Sequence, residues 1–390
     1  MKIFMLWQYY DEYLTRYAEE HEGIVGMGFS EQREALLDDH FAWPGGLSRI
    51  MREQGHDVEL VIENADWMQI AWAKEHDFVP PSHHLRQRIV FEQIRQFRPD
   101  ILWIPHLTEY LGKFVAEVRP YCRKVISWVG SPDPAHLDLT GVSDLIVPVS
   151  WMLKERHSQF NSVTVAKSGF DVDVLGKLGA VKKTHDLVFI GQVSPYHRQR
   201  ARLLSLLVNN HTNMEVLPFR LPVGRLPSVS EALRIATWQA VKKGNLREAM
   251  NVVRKGCFPT EFEKACSTLA RVATPPVFGL AMYRKMAASY ATLNINADVV
   301  IRRAGNMRMF EAGGVGTCTL TEQWEAESGL FEPETEMLTF SSDNDLLRIV
   351  GGMRENQMRL SAIGKAAQTR TLNEYTLAHM FDSIKPVLKL

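Results

Sequence analysis

The chain is poor in features that would place it among disulfide-stapled, membrane-spanning or polyanion-binding proteins. Cysteine is scarce: Cys122, Cys257, Cys266 and Cys318 are scattered through 390 residues with no C-x-x-C spacing. Neither a zinc site nor a disulfide framework is indicated, and a reduced compartment fits. No apolar run approaches bilayer length, and Met1-Lys-Ile-Phe-Met-Leu-Trp7 passes straight into Gln-Tyr-Tyr-Asp. That opening is too short for a signal-peptide core and suits a buried first strand, so a cytoplasmic protein without a membrane span is expected. Neither charge is in excess, with 45 Lys plus Arg against 45 Asp plus Glu. Grip on a nucleic-acid backbone draws on a basic surplus, so the balance disfavours such a partner without excluding it. The local clusters Arg198, Arg200, Arg202 and Arg302, Arg303, Arg308 suit small phosphorylated ligands better.

What is present is an alternation of strand and helix patterns, in a chain long enough for two cores. Short runs rich in Val, Ile, Leu and Trp, bounded by Gly, Pro, Asp or Ser, predict strands over 2–6, 57–62, 100–105, 124–129 and 144–149. Such runs are expected of parallel strands covered on both faces. Between the first two, Leu47, Ile50 and Met51 sit at helical spacing, Gly55 closes the helix and Val58 opens a strand. The unit predicts a doubly wound α/β domain over 1–172. A Lys/Gly-rich stretch over 176–184 reads as a linker. A second α/β domain over 173–370 follows, with strands at 185–192, 213–217, 292–295, 317–321 and 337–340. It carries a helical insertion at about 229–270, and a C-terminal helix over 371–390 is placed to pack back on the first domain.

The most informative segment is Asn306-Met-Arg-Met-Phe-Glu-Ala-Gly-Gly-Val-Gly-Thr-Cys-Thr-Leu-Thr321. It reads as a short helix over 307–312 headed by Asn306, broken by Gly313, Gly314 and Gly316, and followed by a strand. The N–H groups of a helix N-terminus hold phosphate, and a carboxylate one turn along, here Glu311, accepts hydrogen bonds from a ribose. Upstream, Asn294 and Asn296 alternate with Leu293 and Ile295 and share one strand face. They either satisfy each other or line a donor cleft.

Residues 276–380 resemble the C-terminal domain of GT-B glycosyltransferases of the spore-maturation (CgeB-like), group 1-like type. The matching pieces are Pro276-Val-Phe-Gly279, Leu293-Asn-Ile-Asn296, Arg308-Met-Phe-Glu-Ala312 with its glycines, Leu320-Thr-Glu322, and Phe331-Glu-Pro-Glu-Thr-Glu336 with Asp345-Leu-Leu347. The N-terminal half agrees more loosely, through Gly46–Asn64 and Trp67-Met-Gln-Ile-Ala-Trp72. The resemblance implies two Rossmann-like domains facing each other across a cleft. It also implies a metal-independent hexosyl transfer from a nucleotide diphosphate sugar, most simply a UDP-sugar, with no further cofactor. The acceptor is open: a cell-surface glycan, a small molecule, a protein or modified DNA. A nucleotide-sugar epimerase and a non-catalytic binding module share this architecture and remain alternatives.

In that reading Glu311 matches the ribose-binding glutamate, and Gly313 and Gly314 either end the helix or let backbone approach phosphates. Arg308, on the same helix face, either pairs with Glu311 or reaches the diphosphate. Eight positions before Glu311, where many retaining enzymes carry a second glutamate, stands Arg303, which suggests phosphate stabilisation there. Gly191 ends the first strand of the second domain where ligands bind, and Arg198 behind it is a clamp candidate. For a base that takes the acceptor proton, the strand ends of the first domain offer His106 and Asp133. Gly45 and Gly46 open a helix at the cleft edge, or form a plain turn. His83-His84 and Glu75-His76 lack metal-ligand spacing, and Trp67 and Trp72 read as core.

Overall fold

The computed structural model describes residues 1–130, 137–150, 152, 160–222, 228–242, 246–300, 305–324 and 330–389. Six strands, β1 (Lys2–Trp7), β2 (Asp57–Ile62), β3 (Ile101–Pro105), β4 (Lys124–Trp128), β5 (Asp144–Val147) and β6 (Ser162–Val165), form one sheet in the order β2-β1-β3-β4-β5-β6. Five more, β7 (His185–Gln192), β8 (Met214–Phe219), β9 (Ser289–Asn294), β10 (Cys318–Glu322) and β11 (Leu338–Phe340), form a second in the order β11-β10-β9-β7-β8. All pairings are parallel. The chain therefore holds two Rossmann-like lobes.

The continuous apolar run of β1 is explained by coverage on both faces. Ile3 and Met5 enter one core cluster, Phe4 and Leu6 another, and all four are fully buried. Strand β3 repeats the alternation, Ile101 and Trp103 on one side and Leu102 and Ile104 on the other. Strand β6 was not anticipated, because Ser162-Val-Thr-Val165 is half-buried throughout and lies at a sheet edge, so it lacks an all-apolar signature. The helix expected to break at Gly313 runs on as Met307–Gly314, and the chain turns instead at Gly316, whose φ is 74°. The stretch read as a linker begins with a short helix, Asp173–Leu178.

The backbone crosses between lobes twice, and the two crossings lie side by side. Phe170 N–H donates to the Tyr375 carbonyl (2.7 Å), and Leu377 N–H donates to the Phe170 carbonyl (3.0 Å). The last helix, Leu377–Ile384, then lies in the N-terminal core, burying Leu377, Met380, Phe381 and Ile384. Lys124 holds the chain beyond it by donating to the carbonyls of Val387 and Lys389. Beside the crossing, Asp171 accepts from His40 (2.8 Å) and Arg49 (2.9 Å). Burial acts to raise the Asp171 carboxyl, but the His40 hydrogen bond and Arg49 prevail and hold it below the ordinary carboxylate value.

Further contacts join the lobes around this hinge. Asp39 accepts from the Leu280 N–H (3.1 Å) and the Tyr13 hydroxyl (2.9 Å), and Glu12 accepts from Arg220 (3.0 Å). Gly279 has a φ of +51°, and a Cβ there would stand 1.9 Å from the Asp39 carboxylate, so only glycine admits this approach. Tyr10, Tyr13 and Phe41 pack on Phe219 and Phe278 of the other lobe, with Tyr10 and Phe219 centroids 4.7 Å apart.

A Cβ on Gly169 would meet the Thr376 carbonyl oxygen at 2.6 Å and Leu377 Cα at 2.7 Å, both backbone atoms of the second crossing. Gly169→Ala is therefore expected to cost about 2 kcal/mol or more, as overpacking against unyielding atoms does. Urea titration measures it; an unchanged midpoint would show that the crossings separate freely. Asp171→Asn is expected to lower stability at neutral pH. The native chain should lose the same contribution as pH falls through the depressed Asp171 value, and the variant should show less of that acid-side dependence.

Candidate functional site

Parallel sheets bind ligands beyond the carboxyl ends of their strands, where the direction of crossover reverses. That point lies between β1 and β3 in the first sheet and between β7 and β9 in the second. The segments leaving these strands meet in one cavity of about 430 Å³. Trp7, Gln8, Tyr9, Tyr10, Trp43 and His106 line it from the N-terminal lobe, and Ile190, Phe219, Asn306, Met307, Arg308 and Glu311 from the C-terminal lobe.

Helix Met307–Gly314 is set over this cavity by an asparagine lattice. Asn306 occupies the N-cap with extended backbone, but its side chain does not cap the first turn. Its amide donates instead to Asn294 Oδ1 (2.8 Å) and Asn296 Oδ1 (2.9 Å), while Asn294 donates to Thr321 Oγ1 (3.2 Å). The backbone N–H of Asn296 donates to Glu322 (3.0 Å). Asn294 and Asn296 thus both accept from Asn306, whose own Oδ1 stays buried without a partner among the described residues, and the contacts pin the helix start to the ends of β9 and β10. Their role is to aim the N-terminus, whose first-turn N–H groups no side chain occupies.

Glu311 is buried one turn along, 4% exposed, and accepts from Arg308 Nη1 (2.7 Å). Burial raises its pKa, and the charge of Arg308 opposes the rise. A second arginine, Arg200, bridges the switch point of this lobe. Its Nε donates to the Ile295 carbonyl (3.0 Å) beyond β9, and its Nη1 to the Gln192 carbonyl at the end of β7. Burial and then the like charge of Arg308 pull its pKa down to about 10. The two guanidinium groups thus act on each other electrostatically within one lobe, and among the described residues Arg200 has no carboxylate in an ion pair. Such an array is built to receive an anion.

Arg200 stands in the sequence only as one of the cluster Arg198, Arg200, Arg202, although its spacing distinguishes it. It shares a helical stripe with Leu204 and Leu207, both fully buried, which turns it inward. Arg198, the expected clamp, corrects differently: its N–H caps onto Asp298 (2.8 Å), and the residue borders an outer groove with Arg202 and Thr260 rather than the interlobe cavity. Gly313 and Gly314 lie in the last turn of the helix, far along the axis from its N-terminus. A Cβ would strike Thr371 (2.5 Å) at the first and Phe170 (2.3 Å) at the second, so these glycines serve helix packing and not phosphate approach. Gly191 lies beside the Phe189 ring and the Arg200 guanidinium. Gly45 and Gly46 sit within helix Trp43–Glu53, packed on Leu37 and Asp171, and Trp43 at its start faces the cavity. Trp67 and Trp72 join the N-terminal core. Asp133, Arg302 and Arg303 lie outside the described residues.

His106 follows β3 on the opposite wall, open to the water of the cleft and otherwise enclosed by protein. Desolvation lowers its pKa, and a hydrogen bond to the Trp128 backbone partly counters this. The lowered pKa favours the neutral imidazole. The chain's two Asp-x-Asp pairs are engaged elsewhere: Asp171 and Asp173 by Arg49, Asp343 by Arg202 and Asp345 by Arg348.

Residues 249–385 match the model of a family described as glycosyl transferase-like. No curated protein sequence matches the chain. Among solved structures, the whole chain is similar to HepE of Anabaena in complex with UDP and glucose: 14% identity, TM-score 0.57, covering 100% of this chain and 99% of that one. It is also similar to a glycosyltransferase from Rickettsia africae (10% identity, TM-score 0.52, 99% and 97% covered). Sucrose-phosphate synthase of Thermosynechococcus elongatus is a third (11% identity, TM-score 0.52, 99% and 98% covered). The fold is accordingly GT-B, two Rossmann-like domains facing each other across a cleft.

The histidine environment is directly measurable. In a proton NMR titration of the imidazole signals, assigned with His106→Gln, His106 is expected to titrate below the ordinary histidine value. A value at or above the ordinary one would mean that the wall around it is wet.

Proposed function

We propose that the chain is a glycosyltransferase of the spore-maturation type, moving a hexosyl group from a nucleotide diphosphate donor to an acceptor hydroxyl. The observation that carries this reading is the buried Glu311–Arg308 pair on a helix whose N-terminus opens into the interlobe cavity. The family match over 249–385 supports it, as does the GT-B relative HepE, solved in complex with UDP-glucose. UDP is accordingly the first nucleotide to test.

In this reading Glu311 accepts hydrogen bonds from the ribose, while Arg308, Arg200 and the helix N-terminus hold the diphosphate. During transfer the bond between the anomeric carbon and the diphosphate oxygen breaks, and the nucleoside diphosphate leaves with the electron pair. The acceptor oxygen forms the new bond to carbon and gives up its proton, for which neutral His106 is the base. Negative charge grows on the diphosphate as the bond breaks, and groups fixed beforehand stabilise it without reorganising. These cations supply the neutralisation that a metal ion otherwise gives, so the transfer is proposed to need no divalent ion.

A donor-hydrolysis panel with UDP-, GDP- and TDP-sugars, together with calorimetry of the free nucleotides, tests the proposal. One nucleotide should bind, Glu311→Ala should weaken it about tenfold or more, and Arg200→Ala should lower turnover about a hundredfold. No binding of any nucleotide, or binding indifferent to both variants, would overturn the assignment. EDTA should leave the rate unchanged. With His106 as base, kcat should fall as pH drops through the lowered imidazole pKa, and His106→Gln should remove that limb of the profile.

A further inference from the structure

After β8 the chain leaves the C-terminal sheet and forms two helices, Val229–Lys242 and Leu246–Cys257, each packed chiefly on the other. Their pattern inverts that of a soluble helix pair. Among the described side chains, the fully buried positions are the small residues Ala232, Ala236 and Ala249. Several large apolar ones lie outside, with Val252 and Val253 half-buried: Leu246 is 68%, Met250 71% and Phe258 76% exposed, and Val229 and Leu233 are more than half exposed. Leu246 and Met250 stand one helical turn apart on a single face, and Phe258 lies just past the helix end at Cys257. An exposed run of this kind marks a surface that meets something apolar.

Charge identifies the occupant. Their described side chains include Arg234, Arg247 and Lys255, besides Arg254, against Glu231 and Glu248, a local basic surplus in a chain whose formal charges cancel overall. Cations on the helices that expose Leu and Met, with Phe258 just beyond, fit a surface that is apolar within and anionic at its rim, as an acidic lipid leaflet is. No helix among the described residues is long and apolar enough to span a bilayer, so the contact is lateral. Arg254 also pairs with Glu263 (2.5 Å), tying the second helix to helix Glu261–Leu269. The pair is rooted at the cleft: the strand before it ends at Phe219, and Arg220 lies over the Tyr10 ring, 5.5 Å from its centroid.

We infer that this helix pair is a peripheral docking element for an anionic lipid surface, which holds the mouth of the cleft close to the bilayer. The docking stands independently of the proposed transfer reaction. The consequence, an acceptor presented at the membrane, rests on that reading.

Co-sedimentation with phosphatidylcholine vesicles, with and without phosphatidylglycerol, tests it on the full chain without any donor. The protein should partition onto the anionic vesicles, and salt should release it. Leu246→Glu with Met250→Glu should reduce partition about tenfold or more, while Arg247→Glu with Lys255→Glu should weaken it on anionic vesicles. Both double variants should keep the native thermal midpoint and nucleotide affinity, which separates failure of docking from failure of the donor site. Three outcomes would overturn the inference: no partition at low salt, equal partition onto both vesicle types, or a lipid-free dimer that Leu246→Glu with Met250→Glu dissolves.

Discussion

Two backbone hydrogen bonds between the crossing segments, one from the Phe170 N–H to the Tyr375 carbonyl and one from the Leu377 N–H to the Phe170 carbonyl, hold the two sheets with their carboxyl edges facing. Everything functional lies at those edges. Because the crossings run side by side and the last helix closes the N-terminal core, neither lobe can be drawn away without uncovering Leu377, Met380 and Phe381. The close approach leaves no room at Gly169, Gly46 or Gly314, where a Cβ would meet the opposing chain or its packed side chains. Small residues here are a condition of the cleft, even though none of them touches it.

Within the cleft the lobes divide the work by polarity. The N-terminal wall is aromatic and nearly uncharged, with the neutral form of His106 favoured by its surroundings. The C-terminal wall concentrates positive charge: Arg200 held by carbonyls, Arg308 beside Glu311, and a helix N-terminus aimed by asparagines. Holding like charges together in a poorly solvated site is unfavourable until an anion arrives, and the fall of Arg200 to about 10 records that cost. The same arrangement is ready for a leaving group whose charge grows during reaction.

Several parts of this picture were legible in the residues. Apolar runs bounded by polar stops located the buried strands because both sheet faces are covered, and the run after Asn306 marked the helix that lines the cleft. The carboxylate of Glu311 and its Arg308 neighbour followed from helical spacing. What misled was local similarity of type. Arg198 and Arg200 are both arginines on one helix start, but only the stripe shared with Leu204 and Leu207 turns inward. Gly313 and Gly314 read as helix terminators or as a phosphate approach because glycine is permissive, whereas Phe170 and Thr371, distant in sequence, are what require them. Edge strand β6, half-buried and polar in alternation, carried too little signal to be read.

The residue order determined what can be decided by near neighbours: strand and helix periods, a helix N-terminus, a carboxylate one turn along it, and the absence of a spanning segment. Tertiary structure alone decided which groups meet. His106 and Glu311 share a cavity because two sheets far apart in the chain are held edge to edge, and Arg200 comes under the charge of Arg308 because β7 and β9 are neighbours in the second sheet. Position across a cleft depends on backbone crossings and close packing, and neither is encoded in the spacing of any single segment.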